Sequence, residues 1–100
     1  MLESKFQRDL VKEIRKKYPD AYVFKTDASQ VQGFPDLLIL KGNRWAALEC
    51  KQSATAKHRP NQDFHVAKCN MMSFARFVWP ENKKEVLDAM DRSFKGSSKR

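Results

Sequence analysis

Residues 33–51 read G-F-P-D-L-L-I-L-K-G-N-R-W-A-A-L-E-C-K, and this stretch decides the fold. Two apolar runs, 37–40 and 45–48, are separated by a short polar link centred on Gly42 and Asn43. Glycine adopts a positive φ at the first central position of a two-residue turn without steric cost. We therefore expect a β-hairpin, with two antiparallel strands and a tight turn in the middle of this stretch.

Acidic and basic side chains stand at the open end of this hairpin. Asp36 directly precedes the first strand, and Glu49 and Lys51 end the second. Side chains alternate between the two faces of a strand, so Glu49 and Lys51 point the same way and Cys50 points to the opposite, apolar face. Two carboxylates supply the hard oxygen ligands that Mg²⁺ prefers, and the Cys50 backbone carbonyl supplies a neutral one. The pattern predicts a metal site.

These groups suit the hydrolysis of a phosphodiester bond. A divalent cation held by Asp36 and Glu49 activates water and neutralises charge on the phosphoryl group. Lys51 can orient or help deprotonate the attacking water, or stabilise the transition state. The alternative is that Asp36 only begins a strand, while Glu49 and Lys51 form a surface ion pair that contributes little.

Length and charge bound the remaining possibilities. The 100 residues predict one domain over residues 1–95, followed by a basic flexible tail at 96–100. The formal net charge of +8 favours a polyanionic partner, nucleic acid before an anionic membrane surface. No apolar run approaches the roughly 18 residues that a membrane span needs, and the N-terminus lacks a signal-peptide pattern. We expect a cytoplasmic protein, of a bacterium or a phage-infected cell. Cys50 and Cys69 match no zinc-site spacing and predict reduced, packed thiols.

The rest of the chain predicts an α/β fold with a mixed sheet flanked by helices. The expected elements, beside the hairpin, are a helix over 2–18, a strand over 21–26, a helix over 60–70, a strand over 73–79 and a last helix between Asn82 and Gly96. The first three strands should form an antiparallel meander, and the fourth should join after a helical crossover. Asn82 and Glu85 have the spacing of a capping box for the last helix, and Gly96 suits its end.

Apolar periodicity predicts which face each helix buries. The expected packing stripes are Phe6, Leu10, Ile14 and Tyr18 on the first helix, Phe64, Ala67 and Met71 on the second, and Val86, Leu87, Met90 and Phe94 on the last. Glu3 precedes Phe6 by three positions and shares its stripe, which predicts an inward-pointing carboxylate. The other interpretation is a capping box formed by Ser4 and Gln7, with Glu3 left at the surface.

The motif residues carry a resemblance to a known family. Pro35-Asp36 followed by Glu49-Cys50-Lys51 resembles the signature of the PD-(D/E)XK nuclease superfamily, and the predicted order of elements is similar to its αβββαβ core. Within it, G-F-P-D-L-L-I-L, the hairpin, E-C-K and a later glutamine, Gln62, resemble the small VRR-NUC and Holliday-junction-resolvase-like branch. The resemblance covers residues 3–79.

What the resemblance implies is a Mg²⁺-dependent endodeoxyribonuclease, with Mn²⁺ able to substitute. Asp36, Glu49 and the Cys50 carbonyl would bind the metal, and Lys51 would be the catalytic lysine. Glu3 would match an acid that helps to hold the metal or its waters, and Gln62 would match a glutamine near the site. The implied substrate is a Holliday junction or other branched DNA.

Further expectations concern contacts with DNA and with a second copy. The residues that we expect to touch DNA are Lys25, Ser29, Gln30, Gln32, Lys57, His58 and Arg59. Symmetric cutting of a junction predicts a homodimer, with the strand 74–79 and the last helix as candidate interface elements. The alternatives are a non-catalytic basic DNA-binding module, or a nicking or nuclease subunit of a larger phage or restriction system. A membrane-surface protein has only the charge in its favour.

Overall fold

The computed structural model describes residues 2–27 and 29–96, so the expected tail at 96–100 lies, apart from Gly96, outside the described residues. Three α-helices and four β-strands follow one another in the order that the sequence predicts. They are α1 (Glu3–Lys17), β1 (Tyr22–Lys25), β2 (Leu37–Lys41), β3 (Arg44–Cys50), α2 (Pro60–Met72), β4 (Ala75–Val78) and α3 (Lys83–Lys95), with a short 3₁₀ turn (Pro80–Asn82) before α3. The predicted α/β class and the αβββαβ order with an added C-terminal helix are confirmed.

The four strands form one mixed sheet in the order β1-β2-β3-β4. The first three pair antiparallel, and β4 pairs parallel with β3 after the α2 crossover. The hairpin turn lies at Gly42 and Asn43, between the paired residues Lys41 and Arg44. Gly42 has φ +61° and Asn43 does not have a positive φ, which is the pattern of a type II′ turn. The register leaves Asp36 and Glu49 at the same end of the sheet.

The helices lie on both sides of the sheet. Helices α1 and α3 cover one face and build the main core, to which the predicted stripes of both helices contribute. Their contact is reinforced where the Tyr18 hydroxyl donates a 2.7 Å hydrogen bond to Asp91 Oδ1. Helix α2 covers part of the other face, where Val66 and Cys69 pack against Ala47 and Ala75. Cys50 belongs to the main core, and both cysteines are buried and free, as predicted.

The predicted packing face of α2 is wrong. Phe64 is 60% exposed, Met71 is 83% exposed and Ala67 is exposed as well. The residues that face the sheet recur at i, i+4, i+7 and i+11 and are Gln62, Val66, Cys69 and Ser73. Two of these four are polar, because Gln62 hydrogen-bonds Glu49 and Lys51 at the charged end of the sheet and Ser73 donates to the carbonyl of β3 residue Trp45. Counting only apolar residues therefore selected the wrong stripe.

The structure confirms only some of the predictions for the helix ends. Helix α1 begins at Glu3 with Leu2 at its N-cap and no side-chain cap, so the Ser4–Gln7 capping box is wrong. Asn82 occupies the N-cap position of α3, as predicted, but its side chain makes no capping bond, because its Oδ1 accepts from the Trp79 amide and closes the preceding 3₁₀ turn. Gly96 does end α3, with φ +65°.

Candidate nuclease site

The two motif carboxylates meet at the end of β2 and β3. The amide of Cys50 donates to Asp36 Oδ2 at 2.9 Å, which fixes the aspartate against the neighbouring strand. Glu49 leaves β3 on the side of α2 and is only 2% exposed, while Cys50 points into the core on the other side. Alternation along β3 thus separates a charged side from an apolar one, as the sequence predicts. Lys51 follows on the same side as Glu49 and is 5% exposed.

Gln62 links the acid and the lysine. Its Nε2 donates to Glu49 Oε2 at 2.9 Å, and its Oε1 accepts from Lys51 Nζ at 2.7 Å. The same oxygen accepts from the Arg59 amide at 3.0 Å, which ties the bridge to the first turn of α2. Lys51 Nζ also donates to the Lys57 carbonyl at 3.1 Å and lies 4.0 Å from Glu49 Oε2. Lys51 is therefore held by neutral oxygens and stands beside the carboxylates.

Both carboxyl groups resist ionisation here. Burial raises the pKa of Asp36, and the Cys50 amide and Lys51 only partly oppose this effect. Burial, and then the charge of Asp36, raise the pKa of Glu49 to about 8. One lysine does not offset two carboxylates that have been removed from water and brought together. A bound cation would offset the repulsion between the two carboxylates at such a site.

The donor set fits a hard divalent cation such as Mg²⁺. Asp36 and Glu49 offer carboxylate oxygens close to each other. The Cys50 amide points towards Asp36, and in an extended strand the carbonyl of the same residue points to the same side, so this neutral oxygen faces the pair as well. Residues 2–27 and 29–96 hold no group of three or more His, Cys, Asp or Glu side chains able to bind a metal. Substrate oxygens and water would have to complete the coordination shell.

Glu3 is exposed on the first turn of α1, so the predicted inward-pointing carboxylate is wrong. Its charge nevertheless reaches the site, since it contributes to the raised pKa of both Glu49 and Cys50. Gln7, one turn further along α1, partly opposes the burial that raises the pKa of the Cys50 thiol. The N-terminus of α1 thus lies behind the end of β3, and Glu3 is a neighbour of the acid pair without hydrogen-bonding to it.

A cleft opens in front of Asp36, between the loop that precedes β2 and the start of α2. It has a volume of about 470 Å³ and is lined by Ser29, Gln32, Gly33, Phe34, Asp36, Arg59 and Gln62. Three residues expected to touch DNA, Ser29, Gln32 and Arg59, therefore share a cleft with a motif carboxylate. The loop lies directly on α2, because a Cβ added at Gly33 would stand 2.9 Å from the Asn61 carbonyl carbon.

The other expected DNA contacts lie outside the lining of this cleft. Lys25 is exposed at the end of β1, opposite Leu37 in register. Gln30 is exposed and lines a smaller neighbouring depression, and the exposed Lys57 faces the site through its carbonyl. His58 hydrogen-bonds Asp63 at 2.8 Å and stacks on Phe77, with ring centroids 4.1 Å apart.

Arg76 is half-buried and belongs to the packing of β4. Its guanidinium donates to Asn70 Oδ1 and to the Ala75 carbonyl, and it lies 4.3 Å from the centroid of the Phe74 ring. Burial lowers the pKa of this guanidinium. These bonds account for Arg76 as a structural residue.

Sequence reasoning missed the supporting residues. The sequence offered Gln7 only as part of a helix cap and Gly33 only as the start of the motif, and their places near the site, like that of Asn61, depend on contacts between distant parts of the chain. A glycine directly before the Phe34-Pro35-Asp36 segment was the one available signal, because such a glycine indicates an unusual backbone or a close approach. At φ +85°, Gly33 has both features.

Comparison with known proteins finds no matching family model, no matching curated protein and no matching solved structure. In the described part of the chain, no helix is both long and apolar enough to cross a bilayer.

Proposed function

We propose that this chain is a Mg²⁺-dependent endodeoxyribonuclease that hydrolyses phosphodiester bonds of branched DNA. The observation that carries the proposal is the group formed by half-buried Asp36 and buried Glu49 and Lys51 at the end of the β2–β3 hairpin. Two carboxylates whose pKa is raised, with a lysine beside them, form a site for a cation and a phosphate at the same place. The resemblance of the motif to PD-(D/E)XK nucleases of the VRR-NUC and resolvase-like branch supports the same activity.

Each residue of the site would have a role that follows from its position. Asp36, Glu49 and the Cys50 carbonyl would hold Mg²⁺ or Mn²⁺, with Glu3 placed to bind water near them. When bound, the cation would lower the pKa of a coordinated water and neutralise charge on the phosphoryl oxygens. Water attacks phosphorus, the bond from phosphorus to the 3′ oxygen breaks, and the products are a 3′ hydroxyl and a 5′ phosphate.

Lys51 is placed to act on the attacking water or on a phosphoryl oxygen. An ammonium group has three N–H donors, and Gln62 and the Lys57 carbonyl accept two of them. The third remains for a group bound beside Glu49, 4.0 Å away. Because Gln62 also fixes Glu49, a single amide sets the distance between the acid and the lysine. Gln62 is thus a positioning residue.

The cleft and the charge of the protein favour a nucleic acid as substrate. Arg59, Ser29 and Gln32 line the cleft beside Asp36 and can contact phosphate oxygens. The net charge of +8 attracts DNA at long range without reading sequence. We infer selection by DNA shape, with a four-way junction as the preferred substrate and a homodimer as the species that cuts it symmetrically. Its place of action would be the cytoplasm, in a bacterium or a phage-infected cell.

A cleavage assay tests the proposal. A labelled immobile four-way junction and a linear duplex are incubated with the protein in Mg²⁺, in Mn²⁺ or in EDTA, beside the variant Asp36→Ala. We expect paired cuts on the junction that require the metal and Asp36. A nick on one strand only would point to a nuclease subunit of a larger system. Intact DNA of every structure, with salt-sensitive binding retained, would replace the proposal with a non-catalytic DNA-binding module.

A further inference from the structure

One side of the sheet carries a large apolar surface that the protomer leaves open. Helix α2 covers β3 and β4, reaches β2 only at Leu38 and leaves most of β1 and β2 open. Seven large apolar side chains of the described residues are strongly exposed, and six of them belong to this side. They are Tyr22 and Phe24 on β1, Val31 in the loop before β2, and Phe64, Met71 and Met72 on α2. We call these six residues the open apolar face.

Cross-strand pairing joins the parts of this face. Tyr22 pairs with Leu40 and Phe24 pairs with Leu38, so these side chains project from the same side of the sheet. Leu38 and Leu40 form the floor of a cavity of about 440 Å³, which Val31, Phe34, Trp45 and Met72 also line. The rings of Tyr22 and Phe24 stack in parallel beside it, 5.9 Å apart.

The geometry points to a second copy of this chain as the occupant of the open apolar face, related to the first by a two-fold axis. The face is self-complementary, since it combines a cavity with protruding side chains on α2, notably Phe64 and Met71. In a two-fold interface the same patch serves both partners, so the protruding side chains of each copy can enter the cavity of the other. A partner of unrelated shape would not need both features on one patch.

Charge supports this choice of occupant. The chain has 20 lysines and arginines, yet Lys68 is the only one that lines the cavity in the described structure, and no acid lines it. Two protomers of net charge +8 repel each other, and they can approach most closely through a surface poor in charge. Nucleic acid would favour the opposite, a surface rich in cations.

The area and the position of the face also agree with a dimer. Six side chains that are 45–83% exposed present several hundred Å² of apolar surface, on the order of the ~800 Å² that each partner contributes to a standard interface. Phe34 lines both the cavity and the cleft in front of Asp36. Two copies joined here would therefore place their clefts on either side of the interface.

This interface replaces the elements expected from the sequence. Phe74 and Val78 of the 74–79 segment are buried in the protomer, as are Val86, Leu87 and Met90 of α3. They are not available to a partner. The inference deepens the proposed function, because it names the surface through which the proposed dimer forms, and its test requires neither DNA nor metal.

Sedimentation equilibrium of the purified chain, from about 1 to 100 μM, tests the inference. We expect a mass of twice 11.7 kDa at the upper concentrations. Met71→Lys and Phe64→Lys should each weaken the dimer at least tenfold, about 1.4 kcal/mol. Leu2→Lys is the matched control, because Leu2 is 72% exposed but does not belong to the face, and it should leave the dissociation constant unchanged. Thermal melting of each variant verifies that it is folded.

The salt dependence of dimerisation gives a second test of the inference. A dimer held by apolar contacts between two cationic protomers should hold or tighten as salt screens their repulsion. A monomer at every concentration, or equal effects of Met71→Lys and Leu2→Lys, would overturn the inference. So would a monomer whose DNA binding changes in Met71→Lys but not in Leu2→Lys, since the face would then contact DNA. If Asp36→Ala loses cleavage but still dimerises, the result concerns the proposed nuclease activity and does not test the dimer interface.

Discussion

The two faces of the sheet are built differently. On the side of α1 and α3, every strand contributes aliphatic side chains, and two helices close a core without a charged group. On the side of α2, the same strands present a buried glutamate, a buried lysine and an apolar area that remains open. The first side holds the domain together, so the second can accommodate charges and surfaces that cost stability. We infer that the division between stability and function runs along the plane of the sheet.

The largest expected effect comes from Glu49→Gln. If Glu49 holds the metal, cleavage of the junction should fall at least about 1,000-fold, or about 4 kcal/mol of transition-state stabilisation. Without metal, the midpoint of thermal unfolding at neutral pH should hold or rise, because burial beside Asp36 raises the pKa of Glu49 to about 8 and the variant removes the cost of keeping this group from ionising. Gel-based cleavage rates and circular dichroism measure the two effects.

Glu85→Gln is the matched control for this variant. Glu85 is exposed on α3, and its substitution should leave the cleavage rate and the midpoint unchanged. If Glu49→Gln cut within tenfold of the native rate, the carboxylate would not be a metal ligand. If it unfolded at a lower temperature, the acid pair would stabilise the fold, and the contrast between the faces would be lost.

The next largest effect compares two neighbouring leucines. Leu37 is fully buried on the side of α1 and α3, and Leu38 is half-buried on the side of α2, where it lines the open cavity. We expect Leu37→Ala to lower the free energy of unfolding by about 3–5 kcal/mol and Leu38→Ala by about 1–2 kcal/mol. Urea denaturation at a protein concentration low enough to populate the monomer measures both values. Equal losses would mean that the two faces stabilise the fold alike.

The same contrast explains what the sequence could predict. The strand order, the hairpin and the stripes of α1 and α3 follow local periodicity, because these elements face a purely apolar core. The stripe of α2 was wrong because its inner face includes Gln62 and Ser73, whose partners lie on β3. The Ser73 hydroxyl donates to the Trp45 carbonyl, a contact between residues 28 positions apart. No local pattern reports such a contact.

The candidate site, too, could be predicted only where local sequence determines it. Asp36, Glu49 and Lys51 could be grouped from strand alternation, since β2 and β3 are joined by a tight turn. The bridge through Gln62 depends on where α2 crosses the sheet, and the position of Glu3 depends on how α1 packs beneath β3. Asn82 had the spacing of a helix cap but closes the turn before the helix, because Pro80 already bends the chain there.

An intermediate effect is expected for Gln62→Leu. Leucine keeps the bulk but removes the three hydrogen bonds of the side-chain amide, so Lys51 and Glu49 lose the group that sets their distance. We expect kcat to fall about 10- to 100-fold with little change in KM, because orientation is lost and substrate contacts remain. The exposed Gln52 supplies the control variant, Gln52→Leu, which should cut at the native rate. A rise in KM alone would assign Gln62 to substrate binding.

The smallest effect separates backbone strain from close packing, through Gly33→Ala and Gly42→Ala. Both glycines have a positive φ, +85° and +61°, so alanine should cost each position roughly 1–2 kcal/mol of stability. An added Cβ meets nothing within 4 Å at Gly42, but at Gly33 it would collide with Asn61 and move the loop away from α2.

Gly33→Ala should therefore lose a further ~1 kcal/mol of stability and a few-fold in cleavage rate, since this loop forms one wall of the cleft. Gly42→Ala should keep the native rate, because its turn lies at the opposite end of the hairpin from Asp36. Equal losses in the two variants, by urea denaturation and cleavage, would show that the loop tolerates displacement and does not help to shape the site.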